Sequence, residues 1–226
     1  MSTQPPPPTS LIDPTYLFRF EVDLEPQPCQ WGAQGLTLPP SCSVPAFSVL
    51  GGGRRYADVR IGWSGDAIGF SVEVRGKRSQ LWCRDTRLED SDGFHFWIDT
   101  RCSPGIHRAT QYCHHFLFMP AGGGVELKSP VGHLMPINRA RQNPNTPAKG
   151  SIQVHSSIQG DGYRLSGRIG GGAMTGFDPA QFGRIGFFYA VVDRELGWQT
   201  LALSRDYPFI EDPSLWVDAV LLTKNG

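Results

Sequence analysis

The feature that most constrains the fold is the segment Asp92–Asp99, in which apolar and polar side chains alternate strictly. One side of this alternation carries Phe94, Phe96 and Ile98, and the other carries His95, Trp97 and Asp99. A period of two is the geometry of a β-strand with one face in a hydrophobic core. The segment therefore predicts a half-buried strand whose second face offers an imidazole, an indole and a carboxylate.

Short alternating segments of the same kind recur along the chain and are separated by turn residues. Alternation predicts a strand over 16–24, a hairpin over 59–74, a strand over 112–119, a hairpin over 152–169 and a strand over 185–191. Shorter strands are expected at 47–50, 201–203 and 216–222. Segments rich in glycine and proline predict irregular connections over 26–53 and 120–149, and residues 178–182 predict one helical turn.

The order and length of these elements predict an all-β fold. The 226 residues include 27 glycines and 19 prolines, which is typical of short strands joined by frequent turns. No linker divides the strands into two groups, so we expect residues 15–226 to form a single antiparallel β-sandwich, jelly-roll-like, with about nine or more strands. The proline-rich residues 1–14 are expected to form a disordered tail.

The net charge, the N-terminal residues and the cysteines limit the classes of function and location to be expected. The formal net charge of +0 provides no cationic surface, so neither nucleic acid nor a membrane is expected as a partner. The N-terminal residues lack the features of a secretory peptide, which predicts a cytoplasmic location, or an extracytoplasmic one if the recorded start omits a leader. The five cysteines contain no Cys-x-x-Cys pair and are expected to be small buried side chains.

Four segments, in their order along the chain, resemble the family 9 carbohydrate-binding modules and the wider group of DOMON-like β-sandwiches. They are the strand Asp92–Asp99, the Gly-Tyr strand Gly162–Ile169, the strand Gly186–Asp193 and the segment Asp212–Trp216. The resemblance covers residues 55 to 222 and implies a jelly-roll-like sandwich that binds sugar or haem without chemistry of its own. The chain departs from the family pattern at Gly170-Gly-Gly-Ala173, where the family usually has a Pro-Trp pair.

The resemblance also implies a binding mode, in which a sugar lies between two tryptophan faces and polar side chains bind its hydroxyls. By position, Trp198 resembles one stacking tryptophan, and Trp82 is the candidate for the other. The candidate hydroxyl-binding residues are Arg84, Arg101, Asp90 and Asp193. Trp63 and Trp216 lie on apolar strand faces and are predicted to be core residues.

Alternatives to sugar binding remain open at the level of sequence. A b-type haem would find ligands among Met119, Met135, Met174, His114, His115 and His133. Asp99 and Asp193 could join a structural calcium site, and the same fold could also be an interaction domain without a ligand. The carboxylates show no pairing typical of a glycosidase, and no nucleophile-elbow motif is present. We therefore expect a non-catalytic, carbohydrate-binding protein with no resident cofactor.

Overall fold

The computed structural model describes residue 12 and residues 14–223, and these residues form β-strands joined by loops and short 3-10 helices. The eleven strands are β1 (Glu21–Pro26), β2 (Ala57–Ser64), β3 (Ala67–Arg75), β4 (Gly93–Asp99), β5 (Cys113–Gly123), β6 (Ser129–Met135), β7 (Ile152–Gln159), β8 (Gly162–Gly170), β9 (Arg184–Asp193), β10 (Gly197–Thr200) and β11 (Val217–Leu221). The 3-10 helices are Pro14–Leu17, Pro40–Cys42, Phe47–Gly51, Leu88–Asp90, Gly171–Ala173 and Pro213–Leu215. Among these residues, no helix has the length and apolarity to cross a membrane.

The strands form two layers. The front layer has the order β6-β5-β4-β9-β11-β1, with β10 paired to the second half of β9, and the back layer has the order β1-β2-β3-β8-β7. Strand β1 belongs to both layers, because residues 21–24 pair with β11 and residues 25–26 pair with β2. Both of these pairings are parallel, whereas every other ladder is antiparallel. The predicted all-β sandwich of about nine or more strands is therefore confirmed.

A single aromatic core lies between the two layers. The ring of Phe70 on β3 lies 4.7 Å from that of Phe94 on β4 and 4.5 Å from that of Phe118 on β5. The predicted core face of the Asp92–Asp99 segment is therefore confirmed. Trp63 and Trp216 are also buried, as predicted, and their indole N–H groups donate to the carbonyl oxygens of Leu24 and Phe209 respectively.

The outer face of the front layer is covered as well, which the sequence did not predict. All seven residues of β4 are buried, including those on the polar side of the alternation. The chain after β10 crosses this face and places Phe209 on Phe188, with 4.3 Å between the ring centroids. The expectation of a half-buried strand is therefore wrong. The alternation shows that the strand has two chemically different faces, but it does not show which residues cover each face.

Aromatic stacking overrides several local predictions near the N-terminus. The strand predicted over 16–24 begins only at Glu21, because Pro14–Leu17 is a 3-10 helix in which Tyr16 stacks on Tyr207 at 5.0 Å. The strand predicted at 47–50 is the 3-10 helix Phe47–Gly51, whose first ring stacks on Phe20 at 4.1 Å. Alternation in a short segment does not distinguish a strand from a turn that is fixed by ring contacts.

Other predictions also differ from the structure in detail. The region 120–149 contains strand β6, residues 178–182 form a turn without a helix, and residues 201–203 are a bend that follows β10. Cys29, Cys42 and Cys113 are buried, as expected, whereas Cys83 and Cys102 are half-buried, and all five are free thiols. The disordered tail predicted for residues 1–14 lies outside the described residues apart from Ile12 and Pro14.

Candidate functional site

A cleft of about 460 Å³ opens on the outer face of the front layer. Its floor is formed by the outward side chains of His95 and Trp97 on β4 and His115 on β5. Trp198 of β10 forms one wall, and the rim consists of the 3-10 helix Leu88–Asp90 and the loop 205–211. A second groove of about 360 Å³ lies beside Thr15–Phe20, but its indole, Trp216, is already buried with its N–H bonded to Phe209.

The floor of the cleft is a stacked cluster of two imidazoles and an indole. Strand register places His115 directly opposite Trp97, and their ring centroids are 4.4 Å apart with an interplanar angle of 13°. Nδ1 of His95 lies 2.9 Å from Nε2 of His115, so one imidazole donates a hydrogen bond to the other. Burial lowers the pKa of His95 to about 4, and burial together with the charge of His95 lowers the pKa of His115 well below its usual value. Both rings are therefore neutral at pH 7.

Two polar atoms in this floor have no hydrogen-bond partner among the described residues. They are Nε2 of His95 and Nε1 of Trp97, and both are buried. An unpaired buried polar atom costs roughly 1–3 kcal/mol in a protein. A group that entered the cleft and bonded to these atoms would remove that cost, so the floor favours a ligand with hydrogen-bonding capacity.

Trp198 presents the accessible aromatic surface of the cleft. It pairs with Val192 across the β9–β10 hairpin and is half-buried. The guanidinium carbon of Arg205 lies 5.0 Å from the centre of its ring, which is within cation–π distance. The ring of His95 lies 6.2 Å away on the floor side. The cleft therefore combines one indole platform, the long cationic side chain of Arg205 and a polar floor.

The loop that forms the rim is held in place by buried aromatic residues. Phe209 is fully buried and contacts Trp97 edge-on at 5.6 Å, while Trp216 donates its indole N–H to the Phe209 carbonyl at 2.7 Å. The backbone N–H groups of Glu211 and Asp212 both donate to the carbonyl of Pro208 and close a turn. These contacts anchor the loop on the outer face and leave its polar side chains at the edge of the cleft.

The rim is predominantly acidic. Its charged side chains are the carboxylates of Glu89, Asp90, Asp206 and Glu211, and the guanidinium of Arg205. Within residues 14–223, none of these five side chains takes part in an ion pair with another protein residue. Four carboxylates and one cation therefore surround the opening, and Glu211 accepts a hydrogen bond from Nδ2 of Asn138 at 3.3 Å.

The structure brings two of the predicted site residues together. Trp198 and Asp90 both line the cleft. Trp82, the second predicted platform, does not line it, because its ring lies beneath the guanidinium groups of Arg84 at 4.7 Å and Arg194 at 3.9 Å. The backbone of Trp82 is also fixed by Asp92, whose carboxylate accepts the Trp82 N–H at 3.0 Å. The cleft is thus built around one half-buried indole platform, Trp198, and Arg84 packs on Trp82 outside it.

The other two predicted residues occupy structural positions. Asp193 is fully buried in an ion-pair triad with Lys77 and Asp92, in which Lys77 Nζ lies 3.0 Å from Asp92 Oδ2 and 2.5 Å from Asp193 Oδ2. Arg101 follows the far end of β4 and packs its guanidinium over Phe182 at 3.9 Å. Neither residue lines the cleft.

Sequence reasoning missed much of the cleft. His95 and Trp97 carried a signal, since they lie on the polar side of the alternation in β4, but no pattern linked them to His115 on the next strand. The loop residues Tyr207 and Glu211 had no local signal at all, because a long connection places them at the rim. Register and loop path, both tertiary properties, assemble this site.

The two carboxylates considered for calcium are far apart, and several of the residues considered for haem are already bonded or packed. Asp99 pairs with Gly186 and Asp193 lies at the opposite end of β9, so about 20 Å of strand separates the two carboxylates. Nε2 of His114 accepts the Thr175 N–H at 2.8 Å, and the candidate ligands Met119 and Met174 are buried in packed positions. No group of three or more His, Cys, Asp or Glu side chains within the described residues is arranged to hold a metal ion.

Comparison with known proteins shows which solved structures share the fold of this chain. No protein-family model matches the sequence, and no curated protein sequence matches it significantly. A family 9 carbohydrate-binding module from Caldicellulosiruptor kristjanssonii in complex with glucose is similar in structure, with a TM-score of 0.61 and 13% identity over 92% of this chain and 99% of that one. A family 9 carbohydrate-binding module from the same organism in complex with cellotriose gives a TM-score of 0.57 with 13% identity over 92% of this chain and 97% of that one.

A putative carbohydrate-binding protein from Bacteroides uniformis is also similar, with a TM-score of 0.50 and 14% identity over 89% of this chain and 99% of that one. Identities of 13–14% show a shared fold and not a shared function. The predicted likeness to the family 9 sandwich is therefore confirmed at the level of fold. The wider DOMON-like relationship stays a prediction.

Proposed function

We propose that this protein binds carbohydrate non-catalytically in the cleft between Trp198 and the loop 205–211. The observation that carries the proposal is an accessible indole beside unpartnered buried polar atoms, on a fold shared with modules in complex with glucose and cellotriose. A volume of about 460 Å³ falls within the range of roughly 300–1,000 Å³ that is usual for small-molecule sites.

The chemistry of the cleft fits a sugar ring. A pyranose offers an apolar C–H face, which packs on an indole, and a girdle of hydroxyls, which need hydrogen-bond partners at the edge. Trp198 supplies the platform, and the floor supplies the Nε1–H donor of Trp97 and the ring nitrogen of His95. Arg205 lies over the platform at 5.0 Å, so a stacked ring moves this exposed side chain aside and receives its N–H donors at the hydroxyls.

The same lining supports a binding role without catalysis. Among the described residues, the cleft is lined by no serine, threonine, cysteine or lysine, so its side-chain nucleophiles are limited to carboxylates, imidazoles and the phenol of Tyr207. Its two imidazoles are neutral and bonded to one another. The proposal includes no resident metal or haem, and binding is expected to be unchanged by a chelator.

The test is isothermal titration of the full chain with glucose, cellotriose and a panel of xylo- and manno-oligosaccharides. Trp198→Ala is expected to weaken binding at least tenfold, because it removes the stacking surface. Trp31→Ala is the matched control, since this half-buried tryptophan packs against Leu36, Leu38 and Cys42 away from the cleft. Its affinity should equal that of the unmodified protein.

Trp82→Ala separates this proposal from the two-tryptophan site predicted from sequence. If sugar binding is lost in Trp82→Ala and retained in Trp198→Ala, the binding site is the Trp82 loop and the cleft assignment is wrong. Absence of binding across the whole panel contradicts the proposed function itself.

A further inference from the structure

The charge distribution around the cleft is unusual for a site that binds a neutral sugar. Glu89, Asp90, Asp206 and Glu211 surround the opening, and the one cation, Arg205, is placed over the face of Trp198. The chain as a whole has a formal net charge of +0, so this excess of carboxylates is local to the cleft. A concave site lined by one sign of charge concentrates ligands of the opposite sign.

The floor of the cleft requires a hydrogen-bonding group from a ligand, in contrast to the rim, which attracts positive charge. The residues His95 and Trp97 line the cleft, and their buried atoms Nε2 and Nε1 have no hydrogen-bond partner among the described residues. The indole nitrogen donates only, whereas the imidazole nitrogen donates or accepts according to the tautomer set by the His95–His115 hydrogen bond. A hydroxyl both donates and accepts, so it satisfies the floor in either tautomer. The two imidazoles are neutral and do not repel a cation.

We infer that the cleft is selective for an amine-bearing saccharide, whose hydroxyl bonds to the floor and whose ammonium faces the acidic rim. This inference rests on the proposed carbohydrate binding and specifies its ligand class. A glucosamine-type sugar carries both groups on one ring. A uronic acid of the same size places a carboxylate against the rim and is repelled.

The experiment is titration of the full chain, at a pH where the amine is protonated and at low salt, with four ligands of matched ring size. They are glucosamine, glucose, N-acetylglucosamine and glucuronic acid, followed by the trisaccharide of glucosamine against cellotriose. The glucosamine trisaccharide is expected to bind at least tenfold more tightly than cellotriose, and glucuronic acid to bind most weakly. N-acetylation keeps the nitrogen but removes its charge, so it should abolish the preference. High salt should reduce the preference as well.

Variants separate the contributions of the rim and the floor. Asp206→Asn and Glu211→Gln are each expected to lower the ratio of amine to neutral affinity by about two- to fivefold. His95→Phe should weaken both ligands by the same factor and leave the ratio unchanged, because the floor binds a hydroxyl. Glu126→Gln is the matched control, since this carboxylate is exposed on the β5–β6 hairpin and pairs with Lys128. It should change neither affinity nor ratio.

The outcomes distinguish this inference from the proposed function. If glucose or cellotriose binds as tightly as its amine counterpart, or if the uronic acid binds more tightly, the selectivity is refuted and carbohydrate binding stands. A ratio that does not respond to Asp206→Asn and Glu211→Gln also refutes it. If none of the sugars binds, both proposals fail.

Discussion

The buried ion-pair triad of Lys77, Asp92 and Asp193 gives the sharpest prediction of stability. The ammonium bridges the carboxylate of Asp92, directly before β4, and that of Asp193 at the end of β9, and the Lys77 side chain is only 4% exposed. Substitution of Lys77 by methionine keeps the length of the aliphatic stem but removes the charge. Two buried carboxylates then face each other without a cation, which costs about 3–5 kcal/mol when a buried pair is broken.

That free energy corresponds to a large shift in melting temperature. For a chain of this size, 1 kcal/mol lowers the Tm by about 2–4 °C, so Lys77→Met is expected to lower it by between about 6 and 20 °C. The measurement is chemical denaturation at 25 °C together with a thermal scan by circular dichroism. Lys128→Met is the matched control, because this lysine pairs with Glu126 at 2.8 Å on the open surface, where a pair contributes about 0–1 kcal/mol.

The triad also couples stability to the cleft. Asp92 accepts the backbone N–H groups of Trp82 and Arg194, and Asp193 accepts those of Glu195 and Leu196 in the turn before Trp198. The double variant Lys77→Met with Asp193→Asn should recover part of the loss, because it removes the repulsion between the carboxylates. A loss below 1 kcal/mol for Lys77→Met, equal to that of Lys128→Met, would refute the reasoning.

Two further predictions follow from buried ring side chains. Phe209→Ala is expected to lower the free energy of unfolding in denaturant by about 3–5 kcal/mol, because this buried ring packs on Phe188. Phe18 is 65% exposed, so Phe18→Ala should lower it by less than about 0.5 kcal/mol. Equal losses for the two variants would contradict the packing described. The free energy of unfolding should have its full value above pH 6.5 and decrease as the pH falls towards 4. Burial lowers the folded-state pKa of His95 and of His114 to about 4, so between these pH values only the unfolded chain takes up protons at these residues. Each imidazole contributes up to about 1.4 kcal/mol per pH unit to the slope of the unfolding free energy against pH. Denaturation of His95→Gln at pH 7, 6 and 5 should therefore give a shallower slope than that of the unmodified protein. Parallel curves would argue against the burial of this ring.

Strand identity was the part of the structure that sequence predicted best. The hairpins at 59–74 and 152–169 appear as β2–β3 and β7–β8, because their alternation is long and a turn of glycine and polar residues fixes each register. Predictions failed at two positions where ring contacts replace strand pairing. At Tyr16 and Phe47 the contacts made by the rings with distant residues decided the backbone conformation.

The candidate site was predicted only in part, for a related reason. Trp198 was found by its position after the β9 strand, and Asp90 by its place in the acidic loop before β4. Trp82 was assigned to the same site, but the guanidinium groups of Arg84 and Arg194 pack over its ring outside the cleft. Residues that are adjacent to a strand in sequence share its end of the sheet, yet the direction of a side chain depends on which neighbours pack on it.

The sequence by itself determined the two faces of the strand Gly93–Asp99, since side-chain alternation is a local property of extended backbone. Only the tertiary structure decided that the second face is a buried floor. The loop after β10 crosses it, Phe209 anchors that loop, and the strand register brings His115 to Trp97. The physical reason is that burial and register arise from contacts between residues far apart in the chain, which no local period encodes.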